Sequence, residues 1–144
     1  MTITPVQTNY IKMPSKDCNH CEFDGVKVLY YLSKKEEALP LLYDTLSKSN
    51  NEGEICETIY IADRMTENGV KGVEKLYPAL SRFNDTKSPN IQTYLAGIYR
   101  KTKVPDAFGP LVKMLIQNSI NPPKTPQLFD PNEEIGGAIL DYLT

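Results

Sequence analysis

The sequence predicts an all-α fold, built as about three helical hairpins behind an irregular N-terminal arm. Three observations lead there. From residue 35 onward apolar residues recur every three or four positions, the period of an amphipathic helix. Short polar turns such as "SKSNNEGE" (47–54) separate the periodic stretches, as expected of helices that fold back on one another. A proline recurs inside three of those stretches, in "EEALPLLYDTL" (36–46), "EKLYPALSRF" (74–83) and "DAFGPLVKML" (106–115).

Residues 1–23 have no clear period and hold Pro5, Pro14 and the cluster "DCNHCEF". They read as an extended, partly disordered arm, and residues 24–144 as a single domain. Asp24 is placed to cap a first helix with Val28, Leu29 and Leu32 on one face. The β-branched and aromatic content of 24–34 also suits a short strand, and helix is the expectation here. Leu39, Leu42, Tyr43 and Leu46 then share one helix face. A second periodic helix uses Ile55, Ile59 and Ala62, with Gly69 as its C-terminal cap. A third runs from about Val70 to Phe83. Ser88 caps a fourth with Pro89 at its first position, and that helix ends in the basic run "RKTK". A fifth spans about Pro105 to Asn118. After the proline-rich loop "NSINPPKTPQLFDPN", Asn132 is expected to cap a last helix, weakened by two adjacent glycines.

The 144 residues suffice for one domain with a real core. A composition 40% hydrophobic and 24% charged suits a globular chain, and a formal net charge of −2 carries no global nucleic-acid or membrane signature. No apolar run approaches the roughly 18 residues needed to cross a bilayer, and the first residues lack the apolar stretch of a secretory signal. Three cysteines, an odd number, argue against a disulfide framework and make a reducing cytoplasm the expected setting. Charge is unevenly spread. Residues 1–63 hold six basic and ten acidic residues, residues 64–103 eight and three, and residues 104–144 two and five. A basic belt therefore lies between two acidic ends.

The prolines align as an internal repeat. Pro40, Pro78 and Pro110 are 38 and 32 residues apart. Each is followed at the second position by an aliphatic residue, Leu42, Leu80 or Val112, and then by Leu46, Phe83 or Leu115. Each proline helix precedes a helix with a small residue in its middle, Ala62, Ala96 or Ala138, where two helices can approach closely. Over roughly residues 35–144 this pattern resembles the HEAT-repeat family. The resemblance implies a short right-handed α–α superhelix in which the first helix of each pair is kinked at its proline and the second lines a concave inner surface. The spacings here are shorter than the family period of about 40–47 residues. Of the family's usual Asp/Val/Arg pattern only Asp44 is present, at the end of the first proline helix. The alternative is a compact, non-repetitive helical bundle.

Two constellations invite a chemical reading. Cys18, His20 and Cys21 carry the donor types and spacing of a zinc site or a redox pair. A structural zinc site needs four ligands, and the chain has one histidine and one other cysteine, Cys56. A structural arm is therefore the plainer reading. Cys56 itself, beside Ile55 and Ile59, reads as a buried thiol. The basic belt offers Arg64 at the end of the second helix and Arg100, Lys101 and Lys103 at the end of the fourth, with Tyr60, Tyr94 and Tyr99 nearby. On a HEAT-like stack these helix ends would lie close together and take an acidic protein segment, or less readily nucleic acid. Cations at helix C-termini also need no ligand, since they stabilise the helix dipole. Asp130, Glu133 and Glu134 sit at a helix start, where negative charge is favoured for the same reason. The expected function is a non-catalytic protein-binding scaffold acting through its concave face, with a metal- or redox-dependent arm and a nucleic-acid binder as the alternatives.

Overall fold

The computed structural model describes residues 12–14, 22–122 and 130–144. The fold is all-α apart from one small ribbon. Lys12–Pro14 (β1) pairs antiparallel with Glu22–Asp24 (β2), with Met13 opposite Phe23. The arm thus contributes a strand pair where sequence reasoning expects only an irregular segment.

Asp24 ends β2 and caps the first helix, Gly25–Lys34 (α1), its Oδ1 accepting from the Val26 and Lys27 amides. Val28 and Tyr31 face the core, whereas Leu29 is 69% exposed. A 3₁₀ turn at Lys35–Ala38 leads into Leu39–Lys48 (α2). Leu42 and Leu46 are buried there, while Tyr43, expected on the same face, points outward. Asn51 caps Glu52–Glu67 (α3) by accepting from the Glu54 amide. Gly69 terminates α3 as expected. Its φ is 75°, its amide donates to the Thr66 carbonyl, and the Val70 amide donates to the Met65 carbonyl, which together form a Schellman motif.

The expected third helix is broken into a 3₁₀ turn at Val73–Leu76, one α-helical turn at Tyr77–Leu80 (α4) and a second 3₁₀ turn at Ser81–Phe83. Ser88 caps Pro89–Thr102 (α5). A 3₁₀ turn at Pro105–Ala107 precedes Phe108–Ile120 (α6). The last helix, Pro131–Leu143 (α7), is capped by Asp130, which accepts from the Asn132 amide. Asn132, the expected cap, lies inside α7 and accepts from Asn118 instead.

The three prolines do not fall in α-helix interiors. Each sits in the first turn of an α-helix that follows a 3₁₀ turn, Pro40 in α2, Pro78 in α4 and Pro110 in α6. The changeover is marked each time by an i→i−3 bond: Leu39 donates to Glu36, Tyr77 to Glu74 and Phe108 to Pro105. Amides in the first turn of an α-helix lack an i−4 acceptor within that helix, so proline costs less there than in a helix interior.

α3 packs against α5, and α5 against α7, while α2 packs on α3 and on α4, and α6 on α7. Ala62, Ala96 and Ala138, one on each member of the α3–α5–α7 series, are fully buried. α5 is the centre of the molecule: from Asn90 to Tyr99 every residue but Thr93 is buried. Two polar side chains brought into this core, Glu57 and Asn118, are paired. Glu57 of α3 accepts from the Asp24 amide at 2.9 Å and from the Lys27 ammonium at 2.8 Å, fastening β2 and α1 to α3. Asn118 donates both to Gln92 at 2.8 Å and to Asn132 at 2.9 Å, joining α6, α5 and α7 through side-chain amides. Among the described residues no helix is long and apolar enough to cross a membrane.

Candidate functional site

Where α3, α5 and the start of α7 meet, they leave a groove of about 400 Å³. The α3 wall is Tyr60, Asp63, Arg64 and Glu67, residues spaced by three and four so that one helix face presents them all. Thr93 and Tyr94 of α5 form the floor, and Asp130, Glu133 and Glu134 close the far side. The Thr93 hydroxyl is committed to the Pro89 carbonyl at 2.8 Å. Tyr94 meets Tyr60 edge-on at 5.3 Å between centroids, and Tyr60 stacks on Phe23 of β2 at 4.8 Å. A row of three rings thus runs from the ribbon to the groove.

The groove is acidic: five carboxyls and the guanidinium of Arg64 line it, and one of the five, Glu134, is paired with Arg100. Asp63 is the most unusual of them. Its Oδ1 is buried and has no hydrogen-bond partner. The carboxyl lies against α5 at Gly97, where a Cβ would come within 2.5 Å of Oδ1. Burial, reinforced by Glu67, pushes its pKa up to about 7, against the opposing pull of Arg64. Asp63 can therefore hold or release a proton near neutrality.

The expected basic patch does not assemble. Only Arg64, Tyr60 and Tyr94 of its members line the groove. Arg100 is occupied: its Nε donates to Asp141 at 2.9 Å and its Nη1 to Glu134 at 3.1 Å. Those bonds, to Asp141 first, raise its pKa further. The guanidinium lies over Gly137 of α7, so Arg100 clasps α5 to α7. Tyr99 is wholly buried and donates to Asn84 Oδ1 at 2.6 Å; burial drives its pKa far above the usual phenol range. It offers no stacking surface. Lys101 and Lys103 are exposed, and Lys103 ends α5 with a left-handed φ of 52°.

Cys18, His20 and Cys21 lie outside the described residues. Cys56 is fully buried. Among the described residues no three His, Cys, Asp or Glu side chains are placed to hold a metal ion. Sequence reasoning missed Asp63 and Glu67 and gave Asp130, Glu133 and Glu134 only a helix-start role. A signal was present: two carboxylates four apart on one helix repel each other, and Asp63 and Glu67 follow Tyr60 at helical spacing. No protein-family model matches the chain, and comparison with curated proteins and with solved structures finds none similar to it.

Proposed function

We propose that the chain is a non-catalytic protein-interaction module whose working surface is the groove between α3, α5 and the start of α7. The groove itself carries this reading. Its walls come from three helices distant in sequence, so the shape is held by the core rather than by a loop, which favours preorganised recognition. A HEAT-like stacking of three hairpins is consistent with the same placement, because α3, α5 and α7 would then be the inner helices and the proline-bearing turns would belong to the outer ones. Fold-level analogy of this kind supports a surface, and the chemistry of the surface has to choose the partner. Five carboxyls around the groove favour a basic protein segment rather than the acidic one that the linear sequence suggests. The odd cysteine count suits a reducing compartment such as the cytoplasm.

The test places a photo-crosslinking residue at position 67 of the full chain. One discrete protein adduct is expected, formed through a segment that carries Lys or Arg. Thr93→Trp, which fills the floor, and Glu133→Lys, which reverses a wall charge, should each abolish it. Lys101→Ala and Lys103→Ala should leave it unchanged. An adduct that survives both groove variants overturns the reading.

A further inference from the structure

We propose that the outer face of the last hairpin, α6 with α7, is the contact surface between two copies of this chain. Both helices carry apolar residues on two opposite sides. Leu111 and Met114 of α6 and Ile135 and Ala138 of α7 face the core. Val112, Ile116 and Ile120 recur every four residues on the other side of α6. On α7, Gly136, Leu140 and Leu143 follow at spacings of four and three. They lie away from α5, whose Arg100 reaches Glu134, Gly137 and Asp141 instead. Ile116, Ile120, Leu140 and Leu143 are between 54% and 70% exposed, and they are four of the six exposed large apolar residues among the described ones. A helix apolar on opposite sides belongs in an interior, and clustered exposed apolar side chains mark a contact surface.

Charge, layout and size each bear on what covers this face. None of the six residues is charged or polar, so two copies of a chain with net charge −2 meet there without opposing like charges, and a strongly charged partner finds no complement. α6 and α7 run antiparallel, with Phe108 against Tyr142 at one end and Asn118 bonded to Asn132 at the other. The two isoleucines stand toward the asparagine end and the two leucines toward the aromatic end, with Val112 and Gly136 between them. At Gly136 a Cβ would meet nothing within 4 Å, so the middle of the stripe admits close approach. A two-fold axis crossing that middle exchanges the ends, and each isoleucine pair then meets the leucine pair of the other copy. Two 13-residue helices side by side present a face roughly 20 Å long and 20 Å wide, about half of the ~800 Å² per partner of a standard interface. The dimer is therefore a weak one. No groove-lining residue belongs to the stripe, so each copy keeps its own groove.

Sedimentation equilibrium of the full chain tests this. A monomer–dimer equilibrium is expected, with a dissociation constant of about 10–100 µM. Ile116→Glu and Leu140→Lys should each leave the chain monomeric, because each sets an unpaired charge against the apolar end of the other copy. Both positions are exposed, so both variants should keep the parent's thermal midpoint and the position-67 adduct. An equimolar mixture of the two should dimerise again, about tenfold or more tighter than either variant alone, as the exchanged ends bring Glu to Lys. A chain monomeric up to about 1 mM, or a dimer that survives both substitutions, overturns the proposal. Growth past the dimer overturns the closed two-fold contact, and no recovery in the mixture overturns the exchange of ends. A photo-crosslinking residue at position 143 identifies the occupant directly. An adduct of two copies is expected; an adduct to a different protein, or one within a single chain, overturns the second copy.

Discussion

Asp63 has the opposite effect on stability to most surface carboxylates. Its folded pKa, about 7, lies above the unfolded value near 3.8, so between those values the folded chain holds a proton that the unfolded chain has lost. Stability from this group is full below about pH 4, declines as pH rises, and is lost above about pH 7. Asp63→Asn should therefore match the parent near pH 4 and exceed it by about 2–4 kcal/mol at pH 8, read from denaturant midpoints at the two pH values. Gly97→Ala tests the contact from the other side. The new Cβ would meet only the tip of the Asp63 side chain, which can swing toward the groove. The Asp63 pKa, followed by carboxyl NMR, should fall toward the ordinary range, while the helix gains up to about 1 kcal/mol from losing its glycine. An unchanged pKa would show that burial against Gly97 is not what raises it.

For the elements, the start signals were the most readable part of the sequence. Asp24, Ser88 followed by Pro89, and Gly69 perform the expected capping roles because each acts on its own backbone within three residues. The last helix was legible too in retrospect: Asp130–Pro131–Asn132 repeats the order of Ser88–Pro89–Asn90, cap then proline then asparagine. Asn132 was a plausible cap by residue type alone, and proline at the first helical position is what decides for Asp130. The prolines of the repeat read as interior kinks because an apolar period continues smoothly from a 3₁₀ turn into an α-helix, hiding the boundary. Their true place implies that Pro40→Ala, Pro78→Ala and Pro110→Ala each shift stability by no more than about 1 kcal/mol, whereas relief of true interior kinks would raise it by about 3 kcal/mol. Asn118→Ala should cost more, about 1–3 kcal/mol, because it strips partners from both Gln92 and Asn132. Urea denaturation of the four variants gives the comparison.

Across the whole molecule, the basic belt shows how a run of charge in sequence dissolves when helices pack. Arg64 reaches the groove, Arg82 donates to the Leu46 carbonyl in the last turn of α2, and Arg100 joins α5 to α7. The site that does form draws on residues 60–67, 93–94 and 130–134, and only the packing of α3 and α7 on α5 brings them together. Arg64, Glu67, Thr93 and Tyr94 of that acidic groove come from the basic stretch itself, so the linear run of charge hides it. Arg100→Ala should accordingly act on stability, by about 1 kcal/mol for a partly exposed cation between two carboxylates, with the loss shrinking in high salt. Capture at the groove should be retained. Loss of capture at unchanged stability would return Arg100 to the binding surface.

The burial of α5 on nearly every side has a kinetic corollary. Amides enclosed on all faces open only when the whole domain opens, so those of Leu95, Ala96, Ile98 and Tyr99 should be among the last to exchange with deuterated water. The floor of the groove would then be its least yielding part, and any adjustment to an incoming chain would fall to the side walls on α3 and at the head of α7.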